Sequence, residues 1–560
     1  MNFAALYQYF PIIRYCRTAV LALSLLATTA LALAQETVTP QEVDFKPIPG
    51  FAELEATGAI IGEIRINNQD IFDLNDPKED KYIFRLANSL HIRTRARMLR
   101  RYLLFNSGET VSVRLIEETE RVMRNNRFLY DVHISPYSYH DGVADIEVKT
   151  KDTWSLTPGA SFSRAGGTNT SSVGFEEKNF LGTGTVLSYG KLTNVDRTGH
   201  EYHISQNNAF GNWENIEYTR GSFDDGRGDK IKLERPFYAL DARWAVGIMS
   251  ESNERIDKQY SAGSVVGSYR HSMISRQAYG GLSQGLINGW VQRYSLGMQL
   301  QEDTYQPDPL LPTPSLIPDN RKVVEPFVRY ELVEDGFVKV ANHDLINHAE
   351  YFNMGLSTTI EIGRATSGST YQGPIYSGSI SDGMNLADHQ SIFLSGYFSV
   401  QEGESGGEKQ IFGGTAKFYH KQSRHGMFFV GLSGDKVNEG TNTNQFQLGG
   451  DNGLRGYPLR YQSGVQRALL SIEQRGYTDL YIFRLFRVGG AIFSDIGRAW
   501  GGVEQNASNP GWLSDVGLGL RLFNDRTASG NVIHIDIAAP LKSGQGVRSY
   551  QILIKGKDTF

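Results

Sequence analysis

Four short strings in this chain of 560 residues carry side chains of the kinds that do chemistry. Gly281-Leu282-Ser283-Gln284-Gly285 has the spacing of a nucleophile elbow, which lifts a serine on a turn between a strand and a helix. Here it follows the strand-like segment RQAYGG (276–281) and no helical periodicity comes after it, so the elbow reading is rejected. His200 and His203 stand three residues apart, whereas the zinc motif on one helix face needs a spacing of four. On a strand, that spacing points them to opposite faces. Arg227-Gly228-Asp229 has the composition of an adhesion tripeptide and reads as a hairpin turn. No catalytic, cofactor-binding or metal-binding residue is expected from these strings. The fourth string is LGGDNGLRGYPLRYQSG (448–464), where Leu454, Arg455, Gly456 and Tyr457 lie in a glycine-rich setting. A guanidinium is a planar fork of donors matched to a carboxylate. Arg455 therefore either has a fixed acidic partner or rides on a solvated loop.

What must position that arginine begins with export. Arg14 and Arg17 precede an apolar run from Ala19 to Ala34 that ends Ala32-Leu33-Ala34, the pattern of a signal peptide over residues 1–34. Cys16, the only cysteine, lies inside it and ahead of the apolar run. No disulfide, thiolate metal site or lipid-bearing cysteine is expected in the mature chain. Without those two arginines the chain has 54 basic and 61 acidic residues, a net charge of −7. With export, that balance argues against nucleic acid as a partner. Glycine is abundant beside 28 Tyr and 29 Phe, and no later stretch approaches an apolar membrane helix. Lipid admits only helices and closed barrels, because every backbone N–H and C=O must be paired. A transmembrane antiparallel β-barrel is the expected fold.

Residues 35–58 are polar, with Pro40, Pro47 and Pro49, and read as a linker. Residues 59–150 differ in pattern from the rest of the chain. AIIGEIRI (59–66) reads as a strand and RTRARMLRRYLLF (93–105) as a basic amphipathic helix. SVRLIEETERVM (112–123) puts Leu115, Ile116, Thr119, Val122 and Met123 on one helical face, behind Ser112 as the N-cap. YDVHISPYSY and VADIEVKTK form a hairpin around Asp141-Gly142. The order β-α-α-β-β predicts a small sheet carrying two helices on one face. The surplus of arginine over 93–127 reads as a solvated helix face.

From Trp154 onward the segments alternate. In NVIHIDIAAP (531–540), Ile533, Ile535 and Ile537 face one side, and His534 and Asp536 the other. Long polar insertions at 304–322, 401–410 and 436–464 fall at one end, and short turns such as 421–426 at the other. That asymmetry predicts long extracellular loops and short periplasmic turns. A raw tally gives roughly twenty strand-like segments, an odd count, whereas a single-chain barrel of this kind closes with an even one.

The chain ends RSYQILIKGKDTF, with Tyr550, Ile552 and Ile554 on one face and Phe560 terminal, similar to the signal that directs barrels into the membrane. The β-α-α-β-β module, KDTWSLTPGASF (151–162), EEKNFLGTGTVLSYG (176–190), GLRGYP, AIFSDIGRAW (491–500) and the terminal Phe, in that order, resemble the BamA-like outer-membrane superfamily. The resemblance implies one periplasmic polypeptide-transport-associated (POTRA) module over 59–150. It implies a barrel over 151–560 of about sixteen strands or more. It also implies that the loop bearing Arg455 folds into the lumen, where the arginine meets Asp495 and Glu473. Alternation agrees: with Leu470 and Ile472 facing lipid, Ser471, Glu473 and Arg475 face inward. Asp495 shares its face with the small residues Gly489, Ala491 and Gly497, and Gly517 and Gly519 also face inward, leaving room for a loop.

The expected function, by resemblance, is insertion or translocation of extended, β-rich client polypeptides, without ATP or cofactor and without catalysis. Outer-membrane lipid, the client and periplasmic chaperones are the expected partners. The alternative is a passive pore or structural barrel with no protein client. Members of the superfamily that assemble barrels carry several POTRA modules; only one is found here.

Overall fold

The structure is a computed structural model and describes residues 48–308, 317–346, 348–402, 409–439, 446–501, 510–528 and 532–557. The leader over 1–34, most of the linker and Phe560 lie outside the described residues.

The N-terminal module contains α1 (Phe51–Ala56), β1 (Ile60–Gln69), α2 (Tyr82–Leu90), α3 (Ala96–Arg100), α4 (Val113–Arg124), β2 (Leu129–His140) and β3 (Val143–Asp152). Its sheet runs β1-β3-β2, with β1 parallel to β3 and β2 antiparallel to it. The β2–β3 turn has Asp141 at φ 51° and Gly142 at φ 79°, the left-handed pair that a two-residue hairpin requires. Ile61, Val132, Ile134, Ala144, Ile146 and Val148 point to one face of the sheet and pack on Leu99, Ile116 and Met123. The expected linker gives way at its end to α1, whose Leu54 is fully buried in that core. The helix expected over 93–105 shrinks to Ala96–Arg100. Its flanking arginines instead donate to barrel-turn carbonyls: Arg95 Nε to Leu181 O (3.0 Å) and Arg101 Nη1 to Ala209 O (2.9 Å). Ser112 occupies the N-cap of α4 but its hydroxyl makes no capping bond.

Twenty strands, from Leu156–Ala165 to Gln551–Lys557, close an antiparallel barrel. This corrects the expected sixteen. Two short hairpins, Phe337–Ala341 with Ala349–Asn353 and Phe446–Leu448 with Gln462–Gly464, lie off the wall. Their alternation is indistinguishable locally from that of wall strands, so a tally of segments cannot tell the two apart. Outward-facing Ile492, Leu518 and Ile537 are exposed, whereas inward-facing Glu473, Asp495 and Asp536 are buried. The Arg227-Gly228-Asp229 string is strand rather than turn; the hairpin turn is Asp224-Asp225, between the paired Phe223 and Gly226.

The module sits on the barrel's near end, and Pro49–Phe560 form one compact unit. The Asn-Phe-Leu-Gly turn is one of its seats. Asn179 Nδ2 donates to Thr94 Oγ1 (2.8 Å), and Arg95 N to Gly182 O (2.9 Å). Asp152, buried at the junction, accepts from Thr94 N (2.7 Å) and lies 2.9 Å from His91 Nε2. Helix α4 adds Glu118, which accepts from Leu240 N of another near-end turn at 2.7 Å. Burial pushes the Glu118 carboxyl up, outweighing Arg121 and Arg114 beside it.

The remaining near-end feature was not anticipated. The connection between the strands Arg321–Glu334 and Ser357–Ala365 turns back into the barrel. Its Ile346 is fully buried among Tyr419, Met427, Phe429, Tyr477 and Phe523 of the inner wall. Arg121 of α4 stacks on Phe337 of the same insertion, 3.9 Å from guanidinium carbon to ring centre. The insertion thus touches both the module and the lumen.

Candidate functional site in the barrel lumen

The far-end loop 449–461 folds down into the barrel. Leu454 takes a left-handed φ of 55° and is fully buried against Leu448, Tyr457 and Tyr461. A non-glycine residue holds that conformation only when its surroundings enforce it. A Cβ on Gly456 would stand 2.8 Å from the Asp515 side chain and 2.9 Å from the Pro540 backbone, so only glycine lets the loop approach the wall this closely.

The structure brings Arg455 and both acids together. Arg455 Nε lies 2.7 Å from Asp495 Oδ2 and Nη2 lies 2.9 Å from Asp495 Oδ1, a bidentate fork. The remaining nitrogen, Nη1, lies 2.9 Å from Glu473 Oε1. All three residues are buried. Asp495 is held in turn by Ser471 Oγ, which donates to Oδ1 at 2.7 Å. Tyr457 OH donates to Ser514 O (3.0 Å), and Gly456 N to Asp515 Oδ2 (2.9 Å).

Three partners were missed. Asp536 Oδ2 stands 3.7 Å from Arg455 Nη1, and its other oxygen pairs with Arg521. Alternation had placed Asp536 inward, but nothing local said which loop group it would meet. Asp515 precedes the strand segment VGLGLRLF, so the alternation over 516–523 does not reach it. Phe493 lies under the guanidinium, 3.4 Å from its carbon to the ring centre, a cation–π contact. It shares Asp495's face and is the nearest large residue to it on that strand. Gly517 makes room for the Phe493 ring, which a Cβ there would strike, rather than for the loop itself.

The site continues beyond the loop. Glu473 Oε2 lies 2.9 Å from Arg475 Nε, and Arg475 Nη1 donates to His343 O (3.0 Å) on the near-end insertion. Tyr477 OH donates to Asn342 O (2.8 Å). Segments entering from opposite ends are therefore linked through Arg455, Glu473 and Arg475. An exposed ion pair would contribute about 0–1 kcal/mol. Here the side chains are buried, and removing one member leaves an uncompensated charge at a cost of roughly 3–5 kcal/mol.

Elsewhere the strings behave as strand residues. Ser283 lies in the strand Ser264–Ile287, its hydroxyl donating to Gln292 O (2.8 Å), with no helix after it. His200 Nδ1 lies 2.9 Å from Tyr189 OH, and His203 Nδ1 2.8 Å from Thr219 Oγ1. Among the described residues no cluster of His, Cys, Asp and Glu could hold a metal ion. At the C-terminus, Ile552 faces outward with Ile554 on its side of the strand, while Leu553 is buried; Tyr550 precedes the strand and is exposed. This last strand meets the first at one registered pair among the described residues, Ile554 with Arg164. Other neighbours in the wall share ladders of seven residues or more.

No family model matches the chain, and no curated protein matches it. Solved structures do. CdiB from Acinetobacter baumannii is 11% identical with a TM-score of 0.44, covering 89% of this chain and 74% of that one. CdiB from Escherichia coli is 14% identical with a TM-score of 0.43, covering 89% and 76%. BamA from Haemophilus ducreyi lacking POTRA domains 1–3 is 13% identical with a TM-score of 0.39, covering 88% and 84%. By its own strand pairing the chain is a closed twenty-stranded barrel bearing a small α+β module, and it is similar to these BamA and CdiB structures.

Proposed function

We propose that the protein is an outer-membrane polypeptide translocation or assembly factor of the BamA-like kind, with its near end and POTRA-like module in the periplasm. The observation that carries this reading is the seam: among the described residues, a wall of long ladders is joined between its first and last strands at one registered pair. Unpaired backbone in lipid is costly, so a short seam is where an extended client strand can pair with the wall while leaving no edge exposed. Clients handed over by periplasmic chaperones are captured by backbone pairing at the edge of the module's sheet, which gives sequence-tolerant affinity. The Arg455 loop braces the adjacent wall strands that carry Glu473 and Asp495, on the last strand's side of the seam, while the seam works. A passive pore needs a clear lumen; here segments from both ends enter it.

The test is a comparative proteome. Deleting the gene is expected to deplete a defined secreted or outer-membrane protein, and Arg455→Ala to reproduce that loss. An unchanged secretome and outer-membrane proteome beside altered small-solute uptake would favour the pore and overturn the proposal.

A further inference from the structure

Helix α2 has an apolar stripe about twice as wide as the protein covers. At about 100° per residue, Phe84, Ala87 and Asn88 occupy one arc of roughly 100°, and Tyr82, Leu86, Leu90 and Ile83 the adjoining one. The first arc is packed: Phe84 is buried against Ile71 and Phe72, with Ala87, Trp154 and Leu485 beside it. The second is bare. Tyr82 is 81% exposed, Ile83 65% and Leu90 65%. Isolated exposed apolar residues are ordinary on a protein surface, but a contiguous helix face of four is not.

The rest of the neighbourhood says what covers it. Helix α2 and the segment before it are tied to the rim of the barrel. Arg526, in a near-end wall turn, donates to Ile71 O (2.9 Å) and pairs with Glu79 (2.6 Å). Arg484 pairs with Asp76 at 3.6 Å. Arg484 belongs to the turn between the strands Gln466–Ile482 and Phe486–Trp500, where Phe483 is 78% exposed and Leu480 and Ile482 also face outward. The bare face of α2 therefore lies beside the rim of the barrel's outward apolar belt. Exposed Lys78 and Lys81 stand beside it among exposed Asp73 and Asp80, and Arg93 pairs with Asp70 at 3.3 Å, so its border is charged and of mixed sign. An apolar face with a charged border, fixed beside a membrane-facing rim, has the geometry of an interfacial helix.

We infer that α2 lies in the plane of the membrane, its Tyr82, Ile83, Leu86 and Leu90 face set into the headgroup–acyl boundary of the near phospholipid leaflet. Such faces sink about 5–10 Å below the headgroups. Lipid contact, added to the turns that hold the module, fixes the module's tilt. The turn bearing Arg526 leads into Val532–Pro540, the strand paired with the last, so the anchor stands close to the seam. This inference rests on the membrane reading of the barrel.

The test uses the full chain in phosphatidylethanolamine–phosphatidylglycerol vesicles. Cys16 is the chain's one cysteine, so in a Cys16→Ser background single cysteines at Ile83 and Leu86 can carry a bimane label, with Ile492→Cys on the outer wall as reference. Shallow nitroxide-labelled lipid is expected to quench the labels at 83 and 86, and aqueous iodide to leave them bright. Iodide quenching at 83 and 86 with lipid quenching at 492 would overturn the inference and leave the membrane reading standing. Iodide quenching at all three would overturn both. Ile83→Glu with Leu86→Glu changes only exposed side chains. It should leave the folded barrel's gel mobility unchanged while opening a Leu90→Cys label to iodide. Continued protection of that label, as under a protein partner, would overturn the inference.

Discussion

Glu473 lies between two arginines, its Oε1 2.9 Å from Arg455 Nη1 and its Oε2 2.9 Å from Arg475 Nε. One arginine arrives on a loop from the far end; the other stands on the wall and holds the near-end insertion through His343 O. A single carboxylate thus joins two inserted segments that share no sequence neighbourhood.

Glu473→Gln should loosen both segments. The substitution leaves two buried guanidinium groups facing each other without a charge between them. Hydrogen exchange is expected to accelerate over 342–346 and over 449–457 together. Asp495→Asn, by contrast, should accelerate only the far loop, because Arg475 keeps Glu473. If Glu473→Gln moves one segment and not the other, the link does not transmit.

Arg455→Ala should cost about 3–5 kcal/mol, since Asp495 and Glu473 lose a buried counter-charge. Arg455→Lys should recover only part of it. An ammonium keeps the charge but cannot reproduce the fork on Asp495 or the planar stack on Phe493. Denaturant midpoints and the rate of protease cleavage within 449–461 measure both. A lysine variant as stable as the native chain would show that charge alone matters.

The seam can be locked. Ile554 and Arg164 are directly opposed on antiparallel strands, a spacing within disulfide reach. Arg164→Cys with Ile554→Cys should form an intramolecular disulfide, abolish client export or insertion, and regain it on reduction. Full activity in the oxidised form would rule out seam opening and leave the lumen as the route.

The insertion should weaken as pH rises. Burial, with Asp344 nearby, pushes the Glu350 carboxyl from an ordinary 4.5 to about 7, against the His343 and Asp344 N–H groups that favour its charge. The folded form therefore holds a proton that the unfolded form releases, and stability falls with pH between those values. Exchange protection of 342–346, corrected for intrinsic rates, should be highest at and below pH 4.5, drop between 4.5 and about 7, and level off above. Protection that is flat or rises over that window would contradict the burial of Glu350 in its charged form being the unfavourable state.

The barrel class, the hairpin at Asp141-Gly142 and the inward set Ser471, Glu473, Arg475 and Asp495 were legible because strand alternation is a local property of period two. Resemblance named the arginine, and parity independently pointed its two acids inward. Strand number was not legible, since closure depends on register and tilt around the whole wall, and an off-wall hairpin alternates like a wall strand. Helix α2 escaped because its wide apolar stripe has no single buried face to set a period. Asp536, Phe493 and the near-end insertion became partners of the Arg455 site only through tertiary structure. Arg455 and Asp495 are 40 residues apart, while Arg475 and His343 are 132 apart. Local pattern told which way each side chain pointed; only the closed barrel decided which of them met.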